Sequence, residues 1–240
     1  MVSLITPVRP ADAVHNTLRL RFEKRGALAY ISHLDLFRTV NKALHRAALP
    51  LYYSEGFSPH PKLVFATPLS LGQESVCEYL DVRLSEDVSP TEAMAALNAT
   101  LPAGLRITAA GYPALKFTAI ARSVFEITLV TAGADEALAS RCAALLRARP
   151  LVVFKRSKAG DRDTDISGSI LDVFGEYRDG AIRLTVTLVA ENSAFLNPEY
   201  LVSVLRRDVG VLSTDPTSES CRIVRLALTD ADGDPFTEEM

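Results

Sequence analysis

Residues that could do chemistry are concentrated in the first third of the chain, and His60 is the most prominent of them. It lies between Pro59 and Pro61, whose rings restrict the backbone on both sides, so the imidazole is presented at little entropic cost. His60, or the earlier His33, could act as a general base on a phosphodiester, with Lys62 stabilising the negative charge that develops. Because the sequence supplies no assured acid partner, a catalytic site here is a hypothesis.

Three cations recur at helical spacing just before this histidine: Arg38, Lys42 and Arg46. Like charges four residues apart destabilise an isolated helix by roughly 0.2–0.5 kcal/mol per pair. One interpretation is a solvated basic face. The other is a row of cations that binds phosphates, since phosphate contacts dominate nucleic-acid affinity.

The first strand adds two more cations to this region. Residues 17–24 alternate strictly between apolar and charged side chains, which predicts a half-buried strand. Arg19 and Arg21 then lie on its open side. We expect these two arginines and the helical cations to converge on one concave surface beside His60.

Aromatic residues and a second basic stretch complete the predicted RNA-binding set. Tyr53, Phe57 and His60 could stack on an unpaired base or contact a 2′-hydroxyl group. Lys155 and Arg156 begin a polar loop, residues 155–166, at the corresponding place in the second half of the chain. The full predicted set is Arg19, Arg21, Arg38, Lys42, Arg46, Tyr53, Phe57, His60, Lys62, Lys155 and Arg156.

The charge of the chain is unevenly distributed. The net charge is −3, but residues 19–62 carry eight Lys and Arg residues against three acidic ones. Much of the compensating acid lies near the C-terminus. A basic region in an otherwise acidic chain is compatible with specific RNA contact and disfavours indiscriminate binding.

Composition limits the class of protein and of site. A content of 48% hydrophobic and 23% charged residues is typical of globular proteins. No apolar run is long enough to span a bilayer and no signal segment is evident, so we expect a cytoplasmic protein without a membrane partner. Cys77, Cys142 and Cys221 are widely spaced, which predicts buried thiols and no metal, disulfide or iron–sulfur site in this chain.

Signals for the ends of helices and strands predict the elements that position these residues. Ser32 is placed as the N-cap of a helix, with Asp35 as its capping-box partner, and Pro50 ends that helix. A short strand at Leu51–Ser54 follows, and Leu63–Phe65 is a possible lead into another. The first half is predicted to be β-α-β-β-α-β, and the second half repeats this order, with a hairpin turning at Asp179-Gly180.

The predicted fold class is α+β, with two tandem ferredoxin-like domains that have antiparallel sheets. The predicted boundaries are 1–16 for a leader, 17–115 for the first domain, 123–230 for the second domain, and 231–240 for an acidic tail.

Three segments carry a family resemblance. YISHLDLFR, LPLYYSEGFSPHPKLVFATPLSLG and EYLDV resemble motifs of a bacterial family of radical-SAM-linked (radical-SAM-associated) proteins, in its stand-alone form. The resemblance implies a partner: a radical-SAM enzyme with a cobalamin-binding-like domain. It also implies that SAM and an iron–sulfur cluster belong to that partner, which could bind cobalamin as well. The resemblance implies no cofactor in this chain. The motif positions are Ser32, His33, Asp35, Glu55, Gly56, Pro59, His60, Pro61 and Lys62.

Three functions are compatible with these features. The leading hypothesis is a non-catalytic RNA-binding accessory subunit that presents structured RNA, such as tRNA or rRNA, to the radical-SAM enzyme. The second is a protein–protein adaptor of that enzyme without RNA contact. The third is a metal-independent ribonuclease that uses His60. A metal site built from His33, Asp35, Glu55 and His60 has suitable residue types, but their spacing does not bring them together, and we predict none.

Overall fold

The described part of the chain folds as an α+β protein with four α-helices. The computed structural model describes residues 16–55, 57–155, 160–191 and 195–236. It divides into two compact units, one ending at Ala119 and the other running from Ile120 to Phe236, called here unit 1 and unit 2. Among the described residues, no helix has the length and apolar content that crossing a membrane requires.

The described residues of unit 1 form four strands and two α-helices. In chain order they are β1 (Asn16–Lys24), α1 (His33–Arg46), β2 (Leu63–Phe65), β3 (Gln73–Leu84), α2 (Pro90–Asn98) and β4 (Leu105–Gly111). The strands lie in the order β4-β1-β3-β2, and each neighbouring pair is antiparallel.

The alternation in β1 determines which face of this sheet the helices cover. Leu18, Leu20 and Phe22 are buried in one cluster with Leu36 and Val40 of α1. Successive side chains of a strand point to opposite faces. Arg19 and Arg21 therefore lie on the sheet face away from α1, and the prediction that strand and helix cations converge is wrong.

Helix α1 begins where its capping residue predicts. The hydroxyl oxygen of Ser32 accepts the Asp35 N–H at 3.1 Å, and the hydroxyl donates to Asp35 Oδ2 at 2.7 Å. The pKa of Asp35 is lowered, first by this hydroxyl and then by Arg38. The helix ends at Arg46, before Ala48 takes a φ of 54° and Pro50 follows.

The second strand of unit 1 differs from the prediction. Leu51–Ser54 does not form a regular strand; Leu51 and Tyr53 each make one isolated bridge, to Leu84 and Pro61. The strand forms instead at Leu63–Phe65, beside β3. Tyr53 pairs with Pro61, only eight residues later in the sequence, so this segment makes isolated bridges and not a continuous ladder.

Unit 2 has the same order of elements with one insertion. The elements are β5 (Arg122–Val130), α3 (Glu136–Leu146), β6 (Val152–Lys155), β7 (Arg162–Asp165), β8 (Ile170–Arg178), β9 (Ala181–Val189), α4 (Glu199–Asp208) and β10 (Ser220–Thr229). Four strands lie in the order β10-β5-β9-β8, with antiparallel neighbours. The predicted hairpin is confirmed: Asp179 and Gly180 both have positive φ, as a type I′ turn requires.

The insertion corrects the predicted loop at residues 155–166. Strands β6 and β7 pair antiparallel as a separate two-stranded sheet. Asp165 closes this hairpin because its carboxylate accepts the N–H groups of Leu151 and Ser167, each at 2.9 Å. These backbone hydrogen bonds also lower the pKa of Asp165.

The predicted leader falls almost entirely outside the described residues, and the predicted acidic tail falls partly outside them. Positions 1–15 of the leader and 237–240 of the acidic tail are not described, and Asn16 is already part of β1. In the described part of the tail, the Asp230 carboxylate accepts the N–H groups of Asp232, Gly233 and Asp234. The first acidic residues thus form a local turn.

Candidate nucleic-acid interface

A cleft of about 360 Å³ lies in unit 1 beside the histidine turn. Its walls come from α1, from the turn, and from the edge formed by β2 and β3. Among the residues that the structure describes, no carboxylate contributes to the lining. The lining residues are Phe37, His60, Pro61, Lys62, Leu63, Val64 and Arg83.

Two cations stand next to each other in this cleft. The N–H of Arg83 donates to the carbonyl of Lys62 at 3.1 Å, which makes the two residues cross-strand neighbours. Neither forms an ion pair with a carboxylate in the part of the chain that the structure describes; Lys62 Nζ lies 5.1 Å from the Tyr52 ring centroid. Like charges on neighbouring strands destabilise a sheet. The backbone pairing thus keeps two cations close together, and a bound anion would reduce the repulsion between them.

The turn that carries His60 is closed by a serine. The N–H of Ser54 donates to the carbonyl of His60 at 2.9 Å, and the N–H of His60 donates to Ser54 Oγ at 3.2 Å. The ring Nδ1 lies 3.0 Å from Ser54 Oγ and 3.2 Å from the carbonyl of Ser58. These contacts orient the imidazole through Nδ1. Nε2 makes no hydrogen bond to another described residue and is available to a ligand.

A second histidine, His45 of α1, connects that helix to Tyr53 by a hydrogen bond. His45 Nδ1 lies 2.7 Å from the carbonyl of Asn41, and Nε2 lies 2.7 Å from the hydroxyl of Tyr53. His45 was not predicted as a functional residue. It shares a helical stripe with His33, Phe37 and Asn41, at four-residue spacing, and that spacing was the signal that could have found it.

The helical cations are exposed, as the sequence predicts. Arg38, Lys42 and Arg46 all lie on the solvent side of α1. Arg38 Nη1 is 3.3 Å from Asp35 Oδ1, and both side chains are more than half exposed. An exposed pair of this kind contributes about 0–1 kcal/mol, so it leaves Arg38 free to exchange its partner for a phosphate.

Arg19 does not lie on an open face, contrary to the prediction. Its side chain is 2% exposed and makes a two-point ion pair with Asp81, with N–O distances of 2.7 and 2.8 Å. It also donates to the carbonyl of Leu115 at 2.8 Å, and its guanidinium carbon lies 4.1 Å from the Phe117 ring centroid. The segment after β4 covers this arginine, which the strand pattern alone could not indicate. Arg21, on the same face, is half-buried.

The remaining predicted residues fall into three groups. Phe57, Glu55 and Pro59 are exposed on the turn, whereas Pro61 is buried. His33 packs edge-on against Phe65, with ring centroids 5.1 Å apart. In unit 2, Lys155 Nζ lies 5.3 Å from the Tyr200 ring centroid. Gly56 and Arg156 lie outside the described residues.

Sequence reasoning also missed Arg83 and Phe37 as lining residues. Arg83 was visible only as one polar position in the alternating stretch Glu78–Leu84, and Phe37 as an apolar residue beside the core stripe of α1. Their contribution depends on where β2 pairs with β3, which is a long-range feature.

A larger cleft of about 620 Å³ lies at the other end of β1. Its polar groups are mostly engaged: Arg25 Nε pairs with Glu23 Oε2 at 2.8 Å, and the Asn98 side chain bonds both the N–H and the carbonyl of Ile107. The carboxylate of Glu23 lines this larger cleft together with two arginines, whereas the described lining of the smaller cleft has two cations and no carboxylate, and we therefore place the candidate interface at Lys62 and Arg83.

The described residues contain no group of three or more His, Cys, Asp or Glu side chains that could hold a metal ion. Cys77 and Cys142 are buried as predicted, and burial raises the pKa of the Cys142 thiol to about 11. Cys221 is exposed, which corrects the prediction that all three thiols are buried.

Comparison with known proteins supports the assignment of a family and little else. No curated protein matches the chain. Two similar solved structures are an unknown protein from Galdieria sulphuraria (10% identity, 88% of this chain and 98% of that chain, TM-score 0.26) and a DypB variant in complex with manganese (10% identity, 93% and 96%, TM-score 0.21). The family described as "Uncharacterized protein conserved in bacteria (DUF2344)" matches residues 17–198. Residues 17–198 make up more than half of this chain, so the chain belongs to the DUF2344 family.

Proposed function

We propose that unit 1 binds RNA through the cleft at Lys62 and Arg83 and the exposed cations of α1. The observation that carries this proposal is the neighbouring pair of cations in a cleft whose described lining residues include no carboxylate. Phosphates would relieve their mutual repulsion, and each charge-assisted hydrogen bond to a phosphate contributes roughly 1.5–3 kcal/mol.

The role in the cell that fits this interface is that of an accessory subunit. In it, the chain presents structured RNA, such as tRNA or rRNA, to a radical-SAM modification enzyme with a cobalamin-binding-like domain. Support for that partner comes from the resemblance of the segments around Ser32, His60 and Asp81 to radical-SAM-linked proteins. SAM, the iron–sulfur cluster and cobalamin would belong to the partner.

We further infer that each unit is a ferredoxin-like module, so that the chain carries two in tandem. Support comes from the strand order within each unit. Unit 1 places its last strand beside its first, then its third and second, and unit 2 repeats this order once the hairpin β6–β7 is set aside.

A double substitution tests the RNA-binding proposal. Lys62→Gln with Arg83→Gln should weaken binding to tRNA about 100-fold, because two charge-assisted contacts are lost. The slope of log affinity against log salt should fall by roughly 1.4, which is two phosphate contacts in a single-stranded region. The matched control is Lys116→Gln with Arg206→Gln, which removes two exposed cations elsewhere.

The outcomes separate the hypotheses. Unchanged affinity and salt slope in the Lys62/Arg83 variant would contradict the RNA interface. If no RNA binds at any salt concentration, while a partner enzyme binds the native chain and not a charge-reversal variant at Arg38 and Arg46, the chain is an adaptor.

One observation favours a second candidate function, metal-independent RNA cleavage. His60 lines the same cleft as Lys62 and Arg83, and its ring is oriented through Nδ1 with Nε2 available. A histidine so placed could remove a proton from a 2′-hydroxyl while the cations stabilise the phosphorane. Incubation of tRNA with the native chain and with His60→Gln, both in EDTA, tests this. Cleavage absent from both, or present in both, would contradict it.

A further inference from the structure

We infer that the cleft of unit 1 takes a single unpaired nucleotide, with its base against Phe37 and Val64 and its phosphates on Lys62 and Arg83. This inference rests on the proposed RNA-binding function and specifies the kind of RNA that the site selects. It predicts that single-stranded loops bind and that fully paired helices do not enter the site.

The size and composition of the cleft carry the first step. Its volume of about 360 Å³ is at the low end of the range for small-molecule pockets, roughly 300–1,000 Å³. A base in an A-form helix is stacked and paired, and its helix presents only backbone and a shallow groove to a protein. The cleft is therefore matched to one extruded nucleotide and is too small for a duplex.

The chemistry of the lining carries the second step. Apolar side chains and cations share one small space: Phe37 from α1, Leu63 and Val64 from β2, and the two cations. Val64 is 57% exposed, so an apolar surface is open to solvent beside two cations that form no ion pair with a described carboxylate. Within an RNA, a nucleotide is the unit that offers a flat ring and a phosphate anion at short separation.

The histidine turn adds a polar contact and a second aromatic. His60 Nε2 is free to donate to or accept from a base edge, because Nδ1 is occupied by Ser54 and Ser58. Phe57, on the same turn, is fully exposed and makes an aromatic surface available to the neighbouring base. An acidic peptide would neutralise the charge of the cations, but its carboxylate side chains would offer no flat ring to pack against Phe37.

The test compares ligands of equal charge. The probes are an RNA hairpin with a single-stranded loop, the same hairpin with abasic sites in that loop, and a blunt duplex with the same number of phosphates. Binding is measured by fluorescence anisotropy at one salt concentration. The native chain should bind the base-containing loop about tenfold or more tightly than the abasic loop or the duplex, since each stacked base contributes substantially.

Variants assign the effect to the cleft. Phe37→Ala should remove most of the preference for the base-containing loop, and Phe174→Ala, an exposed aromatic of unit 2, should leave it intact. If Phe37→Ala fails to fold by circular dichroism, Val64→Ser replaces it, because that side chain is more than half exposed. A preference that survives the cleft variant would overturn the inference.

Failure of this inference is distinguishable from failure of the proposed function. Equal binding of loop, abasic loop and duplex, all weakened by Lys62→Gln with Arg83→Gln, would overturn the nucleotide site while RNA binding stands. Absence of binding to all three probes would overturn both. Competition by poly-glutamate as effective as that by the loop RNA would assign the cleft to an acidic peptide instead.

Discussion

Units 1 and 2 place their strands in the same order, yet they use the segment after the first helix differently. In unit 1 this segment forms the His60 turn and pairs at the sheet edge, where Lys62 and Arg83 become neighbours. In unit 2 it forms the separate hairpin β6–β7, and Lys155 lies over the ring of Tyr200. Both segments bring two cations together across paired strands, Lys62 with Arg83 and Lys155 with Arg162, and a tyrosine ring lies near each lysine. The difference is that Lys62 and Arg83 line a cleft with apolar side chains.

Two ion pairs, one from each unit, differ in how far they are buried. The Arg19–Asp81 pair of unit 1 is covered by the segment after β4, while Asp179 of unit 2, 70% exposed, pairs with Arg183 beside a surface turn. The comparison teaches that a charge cannot be assigned to binding or to stability from its strand position. What covers it and what stands beside it decide its role.

The largest effect is expected at the buried pair. Asp81→Asn leaves the Arg19 guanidinium buried without its anion, which should lower the free energy of unfolding by about 3 kcal/mol. Asp179→Asn, the matched change at the exposed pair, should lower it by less than about 1 kcal/mol. Urea unfolding of both variants measures the difference. Equal losses would mean that burial does not determine how much these two ion pairs contribute to stability.

A smaller effect is expected when the two lysines are compared. Lys62→Gln should weaken RNA binding about tenfold through loss of one charge-assisted contact. Lys155→Gln should change affinity less than about twofold, because Lys155 is not among the residues that line the cleft. Anisotropy with one tRNA measures both. A tenfold loss in both variants would show that the unit 2 hairpin is part of the interface.

The smallest effect is expected at a surface carboxylate of unit 2, where water competes for the hydrogen bonds. Glu219 accepts the N–H groups of Ala132, Thr214 and Asp215 and the hydroxyl of Thr131. These bonds lower its pKa from 4.5 to about 2. Because the folded-state pKa is the lower one, the stabilisation is complete above pH 4.5 and is lost as the pH falls towards 2.

The substitution Glu219→Gln isolates this contribution. The melting temperature of the variant should lie below that of the native chain at neutral pH, and the two should converge as the pH falls from 4.5 to 2. Thermal unfolding over that range measures it. Parallel curves with a constant gap would contradict a role for the ionised carboxylate. Among the described residues, no comparable carboxylate closes the His60 turn of unit 1, where Ser54 provides the hydrogen bonds.

Much of the fold could be predicted because its signals are local. The Ser32 cap, the alternation of β1 and the Asp179-Gly180 turn each depend on a few adjacent residues, and all three were predicted correctly. The second strand of unit 1 was not, and in unit 2 strand β6 was predicted but its pairing with β7 was not. Their strands are three or four residues long, and short strands form only where a partner stands beside them.

The candidate site was predicted in part for the same reason. His60 and Lys62 were found because prolines rigidify their own neighbourhood. Arg83 was missed and Arg19 was misplaced, since their surroundings come from distant segments: Arg19 and Asp81 are 62 residues apart in the sequence. Cations that look alike in an alternating strand differ only in what the rest of the chain lays over them.

By itself the sequence determined the element order, the start of α1, the turn that presents His60 and the basic character of the first third of the chain. Those features follow from backbone restrictions and hydrogen bonds within a few residues. Only the tertiary structure decided that Arg19 is buried, that Lys62 stands beside Arg83, and that Phe37 faces the same cleft. Burial and cross-strand proximity are created when distant segments pack, so no local pattern could supply them.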